Sequence, residues 1–263
     1  MNMLHRSTGS KSKKGKIDRN KRFIIVFHGS DRTLRPEEFD FSKSNKDDDF
    51  GQGAYFTSTF KGALKWAKLK KGNVVNWYLF HQGSARIDAD ITFNDTETDL
   101  KWINTIIGFI EDSHSENEDF IIGDTADGMA ASIIRAYESY ARNKGLRLSE
   151  LDDETKLEMA VAMNPDSFDQ QIAVKTKKGL NYLEFIDSAR AKGMEENLFY
   201  IDPAEAAANV VALITEKYGM PEDRAIVGFM KSGTFRLLTE DQSIAMLPPE
   251  ELLRIYEKEV GKP

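Results

Sequence analysis

A short apolar run that ends in a histidine and a glycine constrains this chain more than any other feature. Residues 22–27 are almost continuously apolar and few enough for a buried β-strand. His28 and Gly29 follow at once, so the strand would bring an imidazole to the mouth of a sheet. Gly29 has no side chain to block a ligand from the backbone. The pattern therefore predicts one wall of a cleft.

A second motif is a glycine-rich run that leads to an aromatic residue, Phe50-Gly51-Gln52-Gly53-Ala54-Tyr55. Residues 60–71 then have the apolar spacing of one helical face, and Trp66 lies at the edge of that stripe. An isolated tryptophan is more often a packing residue. Here Tyr55 and Trp66 could instead sandwich a flat heterocycle between two aromatic faces. The run lacks the third glycine and the lysine-serine ending of a phosphate-binding loop, so we exclude that motif.

Together these motifs resemble the ADP-ribosyltransferase fold of poly(ADP-ribose) polymerases and diphtheria-type toxins, and most closely a group of bacterial domains of that class. The resemblance covers residues 22–190 and implies an α+β fold, a split antiparallel sheet with flanking helices. In that family the histidine contacts a ribose hydroxyl of NAD, the glycine backbone holds the nicotinamide amide, and two aromatic rings stack on the nicotinamide. The resemblance implies an NAD site, with NAD as substrate, made by His28, Gly29, Ser30, Gly53, Tyr55 and Trp66.

The third catalytic element of the family, a glutamate at the start of a late strand, is replaced here. Gln171 takes that place at the start of the predicted strand 170–174. Glutamine keeps the hydrogen bond and loses the charge, so Gln171→Glu is expected to raise NAD hydrolysis. Asp124 and Asp127 precede a predicted helix at 128–142. They either cap that helix or supply the missing acid or base, and we count Asp127 with His28, Tyr55 and Gln171 as a candidate catalytic residue.

The function implied by the resemblance is mono-ADP-ribosyl transfer from NAD to an unknown macromolecular acceptor, a protein or a nucleic acid, by a bacterial toxin or effector. Two alternatives stay open. The chain could bind NAD or ADP-ribose as a regulatory module without turnover, or it could hydrolyse NAD as a glycohydrolase. The discriminating feature is Gln171, because a site without the glutamate is weaker for catalysis than for binding.

Composition limits the other classes of site. The 263 residues include no cysteine, which excludes disulfides, thiol nucleophiles and cysteine zinc sites. The four histidines lack ligand spacing, so no metal site is expected. No apolar run reaches the length of a membrane span, and the first residues do not have the pattern of a secretory signal. These features favour a cytoplasmic protein without a membrane partner.

Three parts are expected along the chain. Residues 1–21 are predicted to be a basic disordered tail, since eight Lys and Arg against one acid precede Phe23 in a chain of net charge -7. Residues 22–192 are predicted to form the ADP-ribosyltransferase-like domain. Residues 197–260 are predicted to form a small all-α module, because Asp202-Pro203 begins a helix that Gly219 ends. This module would pack on the domain or bind a partner, such as an antitoxin or regulatory protein.

Overall fold

The computed structural model describes residues 17–18, 20–45, 48–83, 89–91, 95–113, 118–126, 129–163, 169–190 and 202–261, with the backbone alone at residues 89–91, 242 and 243. The described residues form an α+β fold with one seven-stranded sheet, and the predicted fold class is therefore confirmed at that level. Residues 191–201, where the predicted domain boundary falls, lie outside the described ranges.

The sheet has the strand order β4-β5-β6-β2-β1-β3-β7. Neighbouring strands are antiparallel except β4 and β5, which are parallel. β1 pairs with β3 along its whole length but with β2 only at Phe27 opposite Thr57, so the sheet is narrowly joined at that point. The strands are β1 (Ile24–Ser30), β2 (Ala54–Thr57), β3 (Val74–Phe80), β4 (Ala89–Ile91), β5 (Phe120–Asp124), β6 (Gln170–Val174) and β7 (Leu183–Arg190).

Most helices lie on one face of the sheet, and several begin at capping residues. The predicted starts at Phe60 and Pro203 are confirmed, and Gly219 ends its helix in the left-handed conformation with φ 60°. The helices are α1 (Phe60–Leu69), α2 (Thr96–Ile110), α3 (Ala130–Asn143), α4 (Asp153–Ala162), α5 (Lys177–Leu180), α6 (Pro203–Tyr218), α7 (Glu222–Met230), α8 (Gly233–Glu240), α9 (Gln242–Ala245) and α10 (Pro249–Glu259). Among the described residues, no helix is long and apolar enough to cross a membrane.

Strand alternation divides the core between the two faces of the sheet. On the first face, α1 and the C-terminal helices α6 to α10 pack over β1, β3 and β7, and α2 to α4 pack over β2, β5 and β6. On the second face, Val26, Phe56 and Tyr78 belong to another buried cluster, beneath the segment that connects β1 to β2. The first face is therefore the one on which two groups of helices meet above the junction of β1 and β2.

The C-terminal helices share their core with the sheet. Trp77 of β3 is fully buried, its Nε1 donates to the carbonyl of Met230 at 3.2 Å, and its ring packs edge to face on Phe235 at 5.3 Å. Arg236 of α8 also forms an ion pair of 2.6 Å with Asp187 of β7. The helices therefore pack on the sheet, one of the two arrangements that the sequence left open.

The last residues of the predicted tail also contact the sheet. Ile17 is 6% exposed, and its amide donates to Gln170 Oε1 at 3.0 Å. Gln82 Nε2 donates to the carbonyls of Asp18 and Lys21 at 2.9 and 2.7 Å. Backbone groups of Ile17, Asp18 and Lys21 thus find hydrogen-bond partners on Gln170 and Gln82. Residues 1–16 lie outside the described ranges.

Asp202 joins the helical part to α1 by capping two helices at once. Its Oδ1 accepts from the amides of Ala204 in α6 and Phe60 in α1, at 2.9 and 3.3 Å. Its Oδ2 accepts from the amide of Lys61 at 3.2 Å. Burial raises the pKa of this carboxyl from its ordinary 3.8 to about 6, although the three amides favour the charged form.

We predict that Asp202→Ala lowers the free energy of unfolding by about 1–3 kcal/mol in urea denaturation at neutral pH, because both helices lose a cap.

The titration of Asp202 also predicts how the free energy of unfolding changes with pH. Because the folded pKa is raised, the titration of Asp202 favours the folded state below pH 3.8, and this contribution is lost as pH rises through about 6. Wild type should lose stability relative to Asp202→Asn over that window. Equal pH dependence of the two proteins would contradict a buried carboxylate at this position.

Candidate functional site

The junction of β1 and β2 places Gly29 and Tyr55 on the same face of the sheet. Phe27 and Thr57 lie directly opposite one another, so their side chains share a face. Gly29 lies two residues after Phe27 in β1, and Tyr55 lies two residues before Thr57 in β2. Because side chains alternate along a strand, both positions belong to this same face. α1 covers this part of β1. A Cβ on Gly29 would lie 1.9 Å from the carbonyl oxygen of Ala63. Gly29 is therefore required for the close approach of the helix. It is buried, whereas an open backbone is predicted at this position from the sequence.

Trp66 lies on the side of α1 that faces β2. Gly62, one turn earlier, marks this side, because a Cβ there would lie 3.0 Å from Thr57 Oγ1 and 3.2 Å from Asp169 Oδ2. Residues four apart occupy the same side of a helix. Trp66 is 47% exposed, whereas Trp77 and Trp102 are fully buried. Trp66 is thus not a core packing residue, and it stands beside the junction of the strands on the face of Tyr55.

The His28 side chain projects from the second face. Its ring centroid lies 5.0 Å from that of Phe39 and 5.6 Å from that of Phe56. His28 Nδ1 lies 2.7 Å from the carbonyl oxygen of Tyr55. Because a carbonyl only accepts, Nδ1 carries the proton, and Nε2 of the neutral ring is an acceptor. No hydrogen bond to Nε2 is found from the described residues.

Burial keeps this imidazole neutral. It lowers the pKa of His28 from 6.5 to about 4, the nearby Lys70 adds to the lowering, and the bond to Tyr55 opposes it. The arrangement differs from the predicted one, in which both side chains line a single cleft. Alternation along β1 turns His28 and Gly29 to opposite faces, so His28 contacts the backbone carbonyl of Tyr55 and not its ring. The contact bridges the part of β1 and β2 beyond Phe27 and Thr57, where the two strands are not paired, and this unpaired part is the gap between β1 and β2.

Tyr55 anchors the glycine-rich run. Its hydroxyl donates to the carbonyl of Gly51 at 2.6 Å and accepts from the amide of Phe50 at 3.1 Å. Lys175 also donates to the carbonyl of Phe50. A Cβ on Gly53 would lie 2.9 Å from the carbonyl oxygen of Val174, so this glycine serves the close approach to β6. The loop that precedes β2 is consequently clamped at several points.

Gln171 faces the carboxylate of Asp49, which was not among the residues predicted from the sequence. Gln171 is opposite Thr57 and so lies on the first face. Its Nε2 donates to Asp49 Oδ2 at 2.8 Å, and the amide of Ala126 donates to the same oxygen at 2.9 Å. Burial raises the pKa of Asp49, while these two donors oppose the rise. The available signal was the acidic run Asp47-Asp48-Asp49 directly before the glycine-rich motif.

The remaining candidates stand apart from this pair. Asp124 is buried at the end of β5, opposite Gln170 and not Gln171, and its carbonyl accepts from Trp102 Nε1 at 2.8 Å. Asp127 lies outside the described residues. Ser30 is buried, and its hydroxyl donates to Asp31 Oδ1 at 3.2 Å. Within the described ranges, no group of three or more histidine or acidic side chains could hold a metal ion.

We predict that Gly29→Ala destabilises the protein by about 3 kcal/mol or more, because α1 must move away from β1 to admit a methyl group. The matched control is Gly228→Ala in α7, where the new Cβ would meet only the Tyr256 hydroxyl at 3.2 Å. Its effect should stay within about 1 kcal/mol, since alanine is the better helix former. Chemical denaturation of both variants tests the difference, and equal stability of Gly29→Ala and wild type would contradict the described helix position.

Comparison with known proteins gives one match. Residues 24–185 match the family model described as "Protein of unknown function (DUF3990)". This range contains β1 to β6, the first three residues of β7 and every candidate site residue. No curated protein and no solved structure matches the chain.

Proposed function

The family match covers more than half of the chain, which therefore belongs to the DUF3990 family, and we propose that this member is a mono-ADP-ribosyltransferase. The observation that carries the proposal is the gap between β1 and β2. Gly29, Tyr55 and Trp66 lie around it on one face, and His28 enters it from the other. These positions support the proposal, because the resemblance to ADP-ribosyltransferases implies a split sheet with these residues beside the split, although His28 projects from the opposite face.

The proposed reaction breaks the bond between the nicotinamide nitrogen and ribose C1′ of NAD. The bonding electron pair leaves with the nicotinamide, which becomes neutral, and positive charge develops on the ribose. A lone pair of the acceptor then forms the new bond to C1′, and the acceptor's proton passes to a base or to solvent. Such a site accelerates the reaction by fixing NAD and by offsetting the developing charge.

Each residue has a separate part in this proposal. Tyr55 and Trp66 flank the nicotinamide ring, Tyr55 with its ring alone because its hydroxyl is engaged by Gly51 and Phe50. The resemblance assigns the nicotinamide amide to the backbone of Gly29, and because Gly29 is buried under α1, this contact requires the ring to enter beside the helix. His28 Nε2 accepts a hydrogen bond from a ribose hydroxyl, and the lowered pKa keeps it an acceptor at neutral pH. Ser30 and Gly53 support the loops around the site.

The surface beside the gap favours an anionic acceptor or the pyrophosphate of NAD. Between Asp49 and Asp88 the sequence contains no acidic residue, in a chain of net charge -7. This stretch includes α1, around which five lysines are exposed, Lys61, Lys65, Lys68, Lys70 and Lys71. A local positive field of this kind raises the concentration of anions near the site. Both a protein and a nucleic acid stay possible acceptors.

A second candidate function is supported by Gln171. A neutral amide at the glutamate position suits a module that binds NAD or ADP-ribose without turnover. NAD hydrolysis is the case in which water is the acceptor. An experiment must separate ADP-ribosyl transfer, NAD hydrolysis and binding without turnover, because all three would use the same gap.

The test is incubation with NAD labelled in its adenylate part and total bacterial extract, with separate detection of labelled protein, labelled nucleic acid and free nicotinamide. We expect label on one macromolecular class and nicotinamide in matching amount. His28→Ala should lower nicotinamide release by about tenfold or more, since each ~1.4 kcal/mol lost from the transition state is tenfold in rate. His81→Ala is the control, because His81 pairs with Glu184 at the opposite end of β3. Wild type that binds NAD without releasing nicotinamide would favour the binding module.

Binding itself can be followed through Trp66. Of the three tryptophans, Trp77 and Trp102 are fully buried, so solvent-exposed emission comes from Trp66. We predict that NAD quenches this emission by stacking on the indole and that Trp66→Phe abolishes the quenching. Fluorescence titration of the two proteins measures it. Quenching of equal size in Trp66→Phe would place the nicotinamide elsewhere.

A further inference from the structure

Asp49 fixes the orientation of the Gln171 amide. Asp49 Oδ2 accepts two hydrogen bonds, from Gln171 Nε2 and from the amide of Ala126, which favours an ionised carboxylate. Because a carboxylate only accepts, the amide must turn Nε2 toward Asp49 and Oε1 away from it. No hydrogen bond to Gln171 Oε1 is found from the described residues. Within the described part of the chain, Oε1 is thus an acceptor without a hydrogen bond, on an amide whose Nε2 donates to a carboxylate.

The carboxylate is held in place from several sides. The loop that carries it is clamped by the bonds of Tyr55 to Gly51 and Phe50, and Lys175 holds the carbonyl of Phe50. Asp49 lies 122 residues from Gln171 in sequence, so the contact depends on the packing of this loop over β6. Among the described residues, Lys175 and Asp48 are further charged groups beside the loop. A buried charge in a fixed frame interacts more strongly than an exposed one.

We propose that Asp49 supplies, through Gln171, the negative charge that a single glutamate supplies in other ADP-ribosyltransferases. The proposal rests on the function proposed above. Gln171 Oε1 accepts the hydrogen bond from a ribose hydroxyl of NAD, and Asp49 polarises the amide from its Nε2 end. The positive charge on the ribose is then offset by Gln171 directly and by Asp49 through the Gln171 amide. Gln171 touches the substrate, and Asp49 is a positioning residue that acts through it.

The pair changes what is expected of Gln171→Glu. A glutamate at position 171 would bring a second carboxylate against Asp49, at a site where the present contact is 2.8 Å. Two carboxylates at that distance hold one proton between them near neutral pH. The pair then keeps one negative charge, as in wild type. Gln171→Glu alone should therefore leave turnover within about threefold, in contrast to the increase expected from the sequence.

The experiment compares wild type with Asp49→Asn, Gln171→Glu and the double variant Asp49→Asn with Gln171→Glu. Nicotinamide release from NAD gives kcat and KM between pH 6 and 9, and the melting temperature is measured in parallel. Asp49→Asn keeps an acceptor for both hydrogen bonds and loses the charge, so kcat should fall about tenfold or more with little change in KM. The double variant moves the charge to position 171, and kcat should return to within about threefold of wild type. Asp152→Asn, a helix cap on α4, is the control for a neutralised aspartate.

Recovery in the double variant supports the proposal, because a merely structural Asp49 would not be replaced by a charge on another residue. Wild-type kcat in Asp49→Asn would overturn the proposal and leave the transferase function standing. A double variant as slow as Asp49→Asn, with an unchanged melting temperature, would also overturn it. If Asp49→Asn does not fold, Asp49→Ser takes its place in both comparisons. Absence of nicotinamide release from wild type would overturn both this proposal and the proposed function.

Discussion

The contact on which the site depends is the approach of α1 to Gly29. The helix backbone lies so close to β1 that a single methyl group would come 1.9 Å from a carbonyl oxygen of the helix. This contact sets the height of α1 above the sheet and, through the turn from Gly62 to Trp66, the position of the exposed indole. Asp202 then ties the start of the same helix to α6. Helix α1 therefore contacts Gly29 beside the gap through its middle and the C-terminal helices through its first turn.

Burial decides the charge states around the gap. The imidazole of His28 is neutral because its ring is enclosed by Phe39 and Phe56, and it can thus accept a hydrogen bond at physiological pH. Burial raises the pKa of Asp49, and the hydrogen bonds from the Ala126 amide and from Gln171 oppose that rise. In the proposed reaction these states are complementary, since a neutral acceptor orients the ribose and a fixed charge offsets the positive charge that develops on it.

The parts of the fold that local patterns determine could be predicted from the sequence. β1 follows from a continuous apolar run, and α6 follows from its aspartate and proline start and its glycine end. The strand β7 and the helix α4 were missed, because β7 is amphipathic beside a bulge and α4 lacks a clear apolar face. The spacing of Tyr55 and Trp66 in the sequence was sufficient to select them as candidate ring-binding residues. It could not predict the pairing of Asp49 with Gln171, which depends on tertiary contact between residues 122 positions apart.

The central claim is that NAD binds in the gap between β1 and β2 with its ribose at Gln171. It is tested most directly by a crystal structure of the protein with a non-cleavable NAD analogue, in which a carbon replaces the nitrogen of the nicotinamide bond to ribose. The account predicts the carboxamide-bearing ring between Tyr55 and Trp66, and a ribose hydroxyl within hydrogen-bond distance of Gln171 Oε1 or His28 Nε2. An analogue bound at another surface, with this gap closed by the protein's own side chains, would contradict it.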